Sequence, residues 1–206
     1  MRPRVKICGV RRLEDALLAA ELGADAVGFV FWPQSPRFID PYRARAIARE
    51  LPPFLTTVGV FVDQPADFVN GVADLLALGA VQFHGHEAPS DYARSSHRVI
   101  KAVAVGDSFD RVRDLDALPS HVTALLDAHD PIKRGGTGKA IDWTVAADAA
   151  LRRRVILSGG LQPGNVQSAV SVVRPYAVDV SSGVESSPGV KDPDKLRAFF
   201  AAVRES

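Results

Sequence analysis

Two periodicities alternate along this chain. Eight short runs, at residues 5–9, 25–31, 55–61, 80–84, 99–105, 123–128, 154–158 and 177–181, are predominantly apolar and rich in Val, Ile, Leu, Phe and Ala. They recur very roughly every 25 residues, the spacing of strands separated by helical crossovers. A strand without polar alternation is what a sheet buried on both faces requires. Between the runs the pattern turns helical. Leu13, Ala16, Leu17 and Ala20 share a face, and Gly23 stands where a left-handed residue ends a helix. Pro41 suits a first helical turn, with Ala44, Ile47, Ala48 and Leu51 behind it and Pro52-Pro53 as a stop. Phe68, Val72, Leu75 and Leu76 form a third stripe, closed by Gly79. Ser108 fits as N-cap of a fifth-unit helix and Asp142 of a sixth. Pro163 or Gly164 opens a seventh, with Val166, Ala169, Val170 and Val173 inward. Asp192 caps the last, striped by Leu196, Phe199, Phe200 and Val203. The fourth unit is the weakest, with only residues 89–95 available for a helix.

No linker rich in Pro, Gly or Ser divides these units, so residues 1–206 read as a single-domain α/β chain. Eight βα units close naturally into a (β/α)8 TIM barrel. An open doubly wound sheet needs a glycine-rich fingerprint after its first strand, and Cys8-Gly9-Val10-Arg11-Arg12 lacks it.

Composition narrows the partners. Hydrophobic residues make up 47% and charged residues 24% of the 206, ordinary values for a globular chain. A formal net charge of +1 makes no case for nucleic acid or an anionic membrane. The chain opens Met1-Arg2-Pro3-Arg4 with no apolar leader, and no segment reaches membrane-spanning length. A single cysteine excludes an internal disulfide and a CxxC site and suits a reducing, cytoplasmic setting. A monomer or a homodimer is expected; the outward helix faces show no unmistakable apolar patch that would choose between them.

In such a barrel the site lies at the C-terminal strand ends. Polar residues gather there: Cys8, Arg37, His84, His86, Asp127, His129, Ser158, Asp179, Ser181 and Ser182. Cys8 has two readings, inert packing or a nucleophile or base. Strand parity puts Lys6 with Cys8, Leu125 with Asp127, and Asp179 with Ser181 on shared faces. Leu157-Ser158-Gly159-Gly160 and Val180-Ser181-Ser182-Gly183 repeat one pattern at consecutive strand ends. Their backbone N–H groups and hydroxyls suit one anion, where barrels of this kind hold phosphate. Gly135-Gly136-Thr137-Gly138-Lys139 is no P-loop, because Lys133 and Ala140 stand where Gly and Ser or Thr belong. It reads as a flexible lid. His84-Gly85-His86 raises a metal site, but Gly85 ends the strand and breaks the alternation, so no metal is expected. His97 and His121 read as surface, and Trp32 and Trp143 as packing anchors.

Taken together these motifs resemble one family, N-(5′-phosphoribosyl)anthranilate isomerase of tryptophan biosynthesis. The resemblance runs from the first strand to the last helix. It rests on Val5-Lys6-Ile7-Cys8-Gly9, Ser35-Pro36-Arg37, Val58-Gly59-Val60-Phe61, Val81-Gln82-Phe83-His84-Gly85, Leu126-Asp127, the loop at 135–139, Leu157-Ser158-Gly159-Gly160-Leu161 and Val178-Asp179-Val180-Ser181-Ser182-Gly183-Val184-Glu185. It implies an Amadori rearrangement of a phosphosugar-anthranilate substrate by acid and base alone, without cofactor. By similarity Cys8 matches the general base, Asp127 the general acid, and Arg37 the receptor of the anthranilate carboxylate. His84 and Asp179 join the substrate-contacting set, and Gly159, Gly160, Ser181, Ser182 and Gly183 match the phosphate cradle. Three rival readings stand beside it. The related histidine-pathway isomerisation of a bulky two-phosphate phosphoribosyl substrate would want a second phosphate cradle, and Gly-Ser signals stand only at the seventh and eighth strands, apart from the ambiguous loop at 135–139. A metal-dependent pentulose-phosphate epimerase would use His84, Asp127 and Asp179 as ligands. A silent phosphosugar-binding barrel would need neither Cys8 nor Asp127.

Overall fold

Every apolar run forms a strand, with ends within two residues of those expected. In the computed structural model, which describes residues 2–93, 95–106, 109–128 and 141–206, the strands are β1 (Arg4–Cys8), β2 (Ala26–Val30), β3 (Thr56–Phe61), β4 (Ala80–Phe83), β5 (Arg98–Val105), β6 (Thr123–Ala128), β7 (Val155–Leu157) and β8 (Ala177–Val180). They close into a barrel in chain order, all parallel. The seam is β8 against β1, with Lys6 opposite Asp179. This is the expected (β/α)8 architecture.

The surrounding helices are α1 (Leu13–Leu22), α2 (Pro41–Arg49), α3 (Ala66–Leu76), α4 (Pro89–Ala93), α5 (Trp143–Arg152), α6 (Val166–Val173) and α7 (Pro193–Arg204). Gly23 ends α1 at φ 96°, its N–H donating to the Ala19 and Ala20 carbonyls. Asp142 and Asp192 cap α5 and α7 as expected, and Asp40 caps α2. The weak fourth unit is a five-residue helix. Three details differ. Between β5 and β6 runs a π-helical turn, Val112–Asp116, and its anticipated cap Ser108 lies outside the described residues. Ala77 takes the left-handed position that ends α3, while the Gly79 N–H bonds the Thr57 carbonyl. The α3 stripe is rotated accordingly: Val69, Val72, Ala73 and Leu76 are buried, and Phe68 stays half-exposed with its ring edge on Phe61. On α1, Leu17 faces outward and Asp15 inward, because Arg12 and the Lys191 amide bind its carboxylate.

A short hairpin, β9 (Glu185–Ser187) and β10 (Val190–Lys191), follows β8 and was not anticipated. Its strands are too short and polar to carry an apolar period.

The barrel interior is stratified. Ala26, Val58, Ala80, Ile100, Ala102, Leu125, Ile156 and Ala177 fill its lower part as an apolar plug. Residues two further along each strand point into the same lumen above that plug, and these carry the polar groups. The opposite strand faces pack on the helices in one continuous core that includes Ile7, Phe29, Phe61, Val81, Leu126 and Leu157.

Candidate active site

β1 supplies Lys6 and Cys8 on one face, as parity requires. Cys8 is buried against Val30, Val60 and the partly buried Trp32. Trp32 therefore packs at the mouth and gives the thiol an apolar wall. Below Cys8, Lys6 Nζ donates to Asp179 Oδ1 at 2.8 Å, and Ser158 Oγ reaches Asp179 Oδ2 at 3.4 Å. Both members of the pair are buried. Gly28 makes room for this arrangement: a Cβ there would lie 3.0 Å from Cys8 Sγ and 3.2 Å from Lys6 Cε. Burial pushes the Cys8 thiol above its ordinary value, against the downward pull of the Lys6 ammonium; Asp179 adds to the rise and Lys191 opposes it. Burial works to lower Lys6, but Asp179 and Cys8 outweigh it and hold the ammonium above the usual lysine range.

Asp127 ends β6 in the lumen. Its Oδ1 accepts from the Ala128 N–H at 3.0 Å, and its Oδ2 lies 3.1 Å from His84 Nε2. Gln82 Nε2 stands 2.9 Å from His84 Nδ1. With Gln82 Nε2 donating to Nδ1, the matching tautomer is the one with its ring proton on Nε2, aimed at Asp127; in this orientation Gln82 Oε1 is buried without a partner among the described residues. Gln82, one inward position below His84, is thus the orienter of the imidazole.

The two Ser-Gly turns meet beside these groups. Gly159 and Gly160 both have positive φ, 82° and 68°, which glycine adopts without strain. A Cβ on Gly159 would lie 2.6 Å from the Ala128 N and 3.1 Å from Asp127 Oδ1, so this turn abuts the carboxylate directly. Gly183 packs its α-carbon against the Leu161 carbonyl, which brings the β8 turn onto the β7 turn. Ser181 Oγ is buried with no hydrogen-bond partner among the described residues, the state of a donor set aside for a ligand. Ser182 opens a single 3₁₀ turn, Ser182–Val184.

Arg37, in the loop after β2, lays its stem over Gly9: a Cβ on Gly9 would meet Arg37 Cδ at 2.5 Å and Ser181 Oγ at 3.1 Å. Its guanidinium is forked onto Glu185, with Nε to Oε1 at 2.9 Å and Nη2 to Oε2 at 2.7 Å. Lys191 Nζ reaches the same Glu185 Oε1 at 2.9 Å and also donates to the Cys8 and Ser181 carbonyls. Burial alone would raise the Glu185 carboxyl, yet Arg37 and Lys191 hold it below the usual range.

The structure thus gathers Cys8, Arg37, His84, Asp127, Gly159, Gly160, Ser181, Ser182 and Gly183 around one barrel mouth, with Asp179 one inward position below Cys8. It does not bring His86 there, whose amide binds Asp63 Oδ1 in an outer loop. His97 is not free surface, since its Nε2 lies 3.2 Å from Asp74 Oδ1. His129 and the glycine-rich loop at 135–139 lie outside the described residues. Among the described residues no three His, Cys, Asp or Glu side chains group to hold a metal ion. Asp179 is committed to Lys6, which removes a ligand from the epimerase reading. No helix among them is long and apolar enough to cross a membrane. Sequence reasoning missed the roles of Lys6, Gln82, Glu185 and Lys191. Parity could have flagged the first two. Nothing in a one-dimensional pattern points from Lys191 to Cys8.

Comparison with known proteins bears on the same residues. A family model described as N-(5′-phosphoribosyl)anthranilate (PRA) isomerase matches residues 5–202. An N-(5′-phosphoribosyl)anthranilate isomerase from Geobacter sp. (strain M21) is 51% identical over 204 residues, 98% of each chain. The crystal structure of phosphoribosyl anthranilate isomerase from Thermotoga maritima superposes with a TM-score of 0.91 at 46% identity, covering 99% of this chain and 100% of that one. Another structure of such an isomerase, in complex with reduced 1-(o-carboxyphenylamino)-1-deoxyribulose 5-phosphate, has a TM-score of 0.88 at 45% identity and covers 99% of this chain and 100% of its own. A match that begins on the strand bearing Cys8 and ends within the last helix takes in the whole barrel and every candidate site residue, and on this ground the chain belongs to the N-(5′-phosphoribosyl)anthranilate isomerase family.

Proposed function

We propose that this chain, as one catalytic domain over residues 1–206, performs the reaction of its family in the cytoplasm. That reaction is the Amadori rearrangement of N-(5-phosphoribosyl)anthranilate to 1-(2-carboxyphenylamino)-1-deoxyribulose 5-phosphate. The observation that carries the assignment of roles is the pairing of a buried thiol, Cys8, with a carboxylate, Asp127, at one barrel mouth lined by two glycine turns. Asp127, starting as the carboxylic acid, gives its proton to the furanose ring oxygen as the bond from that oxygen to C1 breaks and the nitrogen lone pair forms the Schiff base, which leaves Asp127 as the carboxylate. The Cys8 thiolate then takes the C2 proton, and the electrons of that C–H bond move towards nitrogen to give an enolamine. Loss of the C2 hydroxyl proton and protonation at C1 complete the ketone.

The other contacts follow from their chemistry. Arg37 takes the anthranilate carboxylate, a planar anion suited to a guanidinium edge. Trp32, Val30 and Val60 offer the aryl ring an apolar wall. The unpartnered Ser181 hydroxyl, Ser182 and the backbone of Gly159, Gly160 and Gly183 cradle the phosphate. His84 orients Asp127. Asp179 Oδ2, with only a long bond from Ser158, keeps capacity for a substrate hydroxyl. No nucleic-acid partner enters this reading.

Positioned acids and bases contribute about 10²–10⁴-fold each. Cys8→Ala and Asp127→Asn are each expected to lose turnover on that scale, followed through the change in anthranilate fluorescence, while affinity for a product analogue stays within about threefold of the parent. Near-normal turnover in either variant would overturn the assignment.

A further inference from the structure

Among the buried charges, one group stands apart. Arg37, Glu185 and Lys191 form a row in which two cations share one carboxylate, and all three are largely removed from water. A guanidinium has a side edge, Nε with Nη2, and an end edge, Nη1 with Nη2. Glu185 occupies the side edge of Arg37 with two parallel bonds of 2.9 and 2.7 Å. Nη1 has no hydrogen-bond partner among the described residues. Lys191 cannot bind a ligand itself: its three protons go to Cys8 O at 2.5 Å, Ser181 O at 3.2 Å and Glu185 Oε1 at 2.9 Å. The Gly189 N–H adds a third donor to Glu185 Oε1, beside Arg37 Nε and Lys191 Nζ, at 3.2 Å.

A buried Arg–Glu pair standing alone would be neutral and would hold little attraction for a further anion. Here the second cation restores the lost charge. Replacing buried ion pairs by apolar groups is commonly neutral or stabilising, so fold stability alone does not account for the row.

We propose that Glu185 and Lys191 are positioning residues for substrate recognition. Glu185 fixes the side edge of Arg37 so that the end edge faces the anthranilate carboxylate, and Lys191 offsets the Glu185 charge so that Arg37 keeps its pull on an anion. The hairpin of β9 and β10 is the device that delivers both. This inference rests on Arg37 being the carboxylate receptor.

The test compares two ligands by titration calorimetry, the reduced product analogue and its counterpart lacking the aryl carboxylate. Glu185→Gln should weaken the carboxylated ligand by about tenfold and leave the decarboxylated one unchanged. KM should rise with kcat within about threefold, the mark of an interaction made equally in ground and transition states. In an Arg37→Ala background, Glu185→Gln should change nothing further. If Arg37→Ala itself leaves the carboxylated ligand unaffected, the role of Arg37 falls and the inference with it. If Arg37→Ala weakens that ligand but Glu185→Gln does not, or weakens both ligands alike, the positioning role is refuted while Arg37 stands. Should Glu185→Gln fail to fold, Glu185→Gln/Lys191→Met, which removes both charges together, takes its place in the same comparison.

Discussion

Removing Lys6 tests whether the lumen tolerates a charge without its partner. Lys6 Nζ and Asp179 Oδ1 lie 2.8 Å apart with side-chain exposures of 4% and 6%. At that separation and an effective dielectric of about 20, the attraction is about 6 kcal/mol, and desolvation of both ions opposes it. The net worth of the pair is therefore small, but the loss of one member is not. Lys6→Met leaves Asp179 buried with only the 3.4 Å bond from Ser158. Such a change should cost about 3–5 kcal/mol, against a total stability of about 5–15 kcal/mol. The double variant Lys6→Met/Asp179→Asn carries no buried charge and should recover much of the loss, giving a coupling energy of about 2–3 kcal/mol. Urea unfolding, followed by the fluorescence of Trp32 and Trp143, measures all four corners of the cycle. Because Lys6 is held above the usual lysine value, its contribution is fully present below the unfolded value of about 10.5 and is lost as pH rises through the folded one. The Lys6 contribution to the gap between parent and Lys6→Met should therefore be constant through neutral pH and diminish above about 10.5. A coupling energy below about 0.5 kcal/mol would refute the reasoning.

Three further outcomes are expected. The Cys8 thiol lies above its ordinary value, so the thiolate is scarcer at pH 7 than the roughly 3% of a free cysteine, and kcat/KM should climb with pH from 7 to 9; a flat profile there would remove the thiolate from the rate-limiting step. Gly183→Ala forces a Cβ into the Leu161 carbonyl and should weaken phosphate-ester binding at least tenfold, whereas Gly164→Ala meets nothing within 4 Å and should leave the same titration unchanged. Gly159→Ala combines a positive φ with a Cβ 2.6 Å from the Ala128 N, so it should cost about 1–2 kcal/mol in thermal unfolding and also lower turnover through Asp127.

The barrel was legible because its signal is repetitive. Eight buried strands each print a run of apolar residues, and Gly23, Asp142 and Asp192 mark helix ends by chemistry local to the turn. The reading slipped where a tertiary partner overrides the local pattern. Asp15 turns inward for Arg12 and Lys191, and α3 rotates Phe68 out because Ala77, not Gly79, takes the left-handed cap. The candidate residues at strand ends, which the structure gathers at one mouth, were visible through parity and through the repeated Ser-Gly turns. Glu185 and Lys191 were not, because their meaning lies in contacts with Arg37, Cys8 and Ser181, far away in sequence.

The seam between β1 and β8 sets an order of events in synthesis. Cys8 lies on the first strand of the barrel, yet the lysine bonded to its carbonyl comes 183 positions later, and the partner of Lys6 comes 173 positions later. At about 5–20 residues per second, the ribosome leaves the thiol roughly 10–40 s without these partners. Every shorter nascent chain exposes an unclosed β1 edge and a reactive thiol with no ordered site around it. The catalytic apparatus is therefore assembled last from one of its oldest parts, and loss of the final units should abolish the site as a whole instead of trimming it.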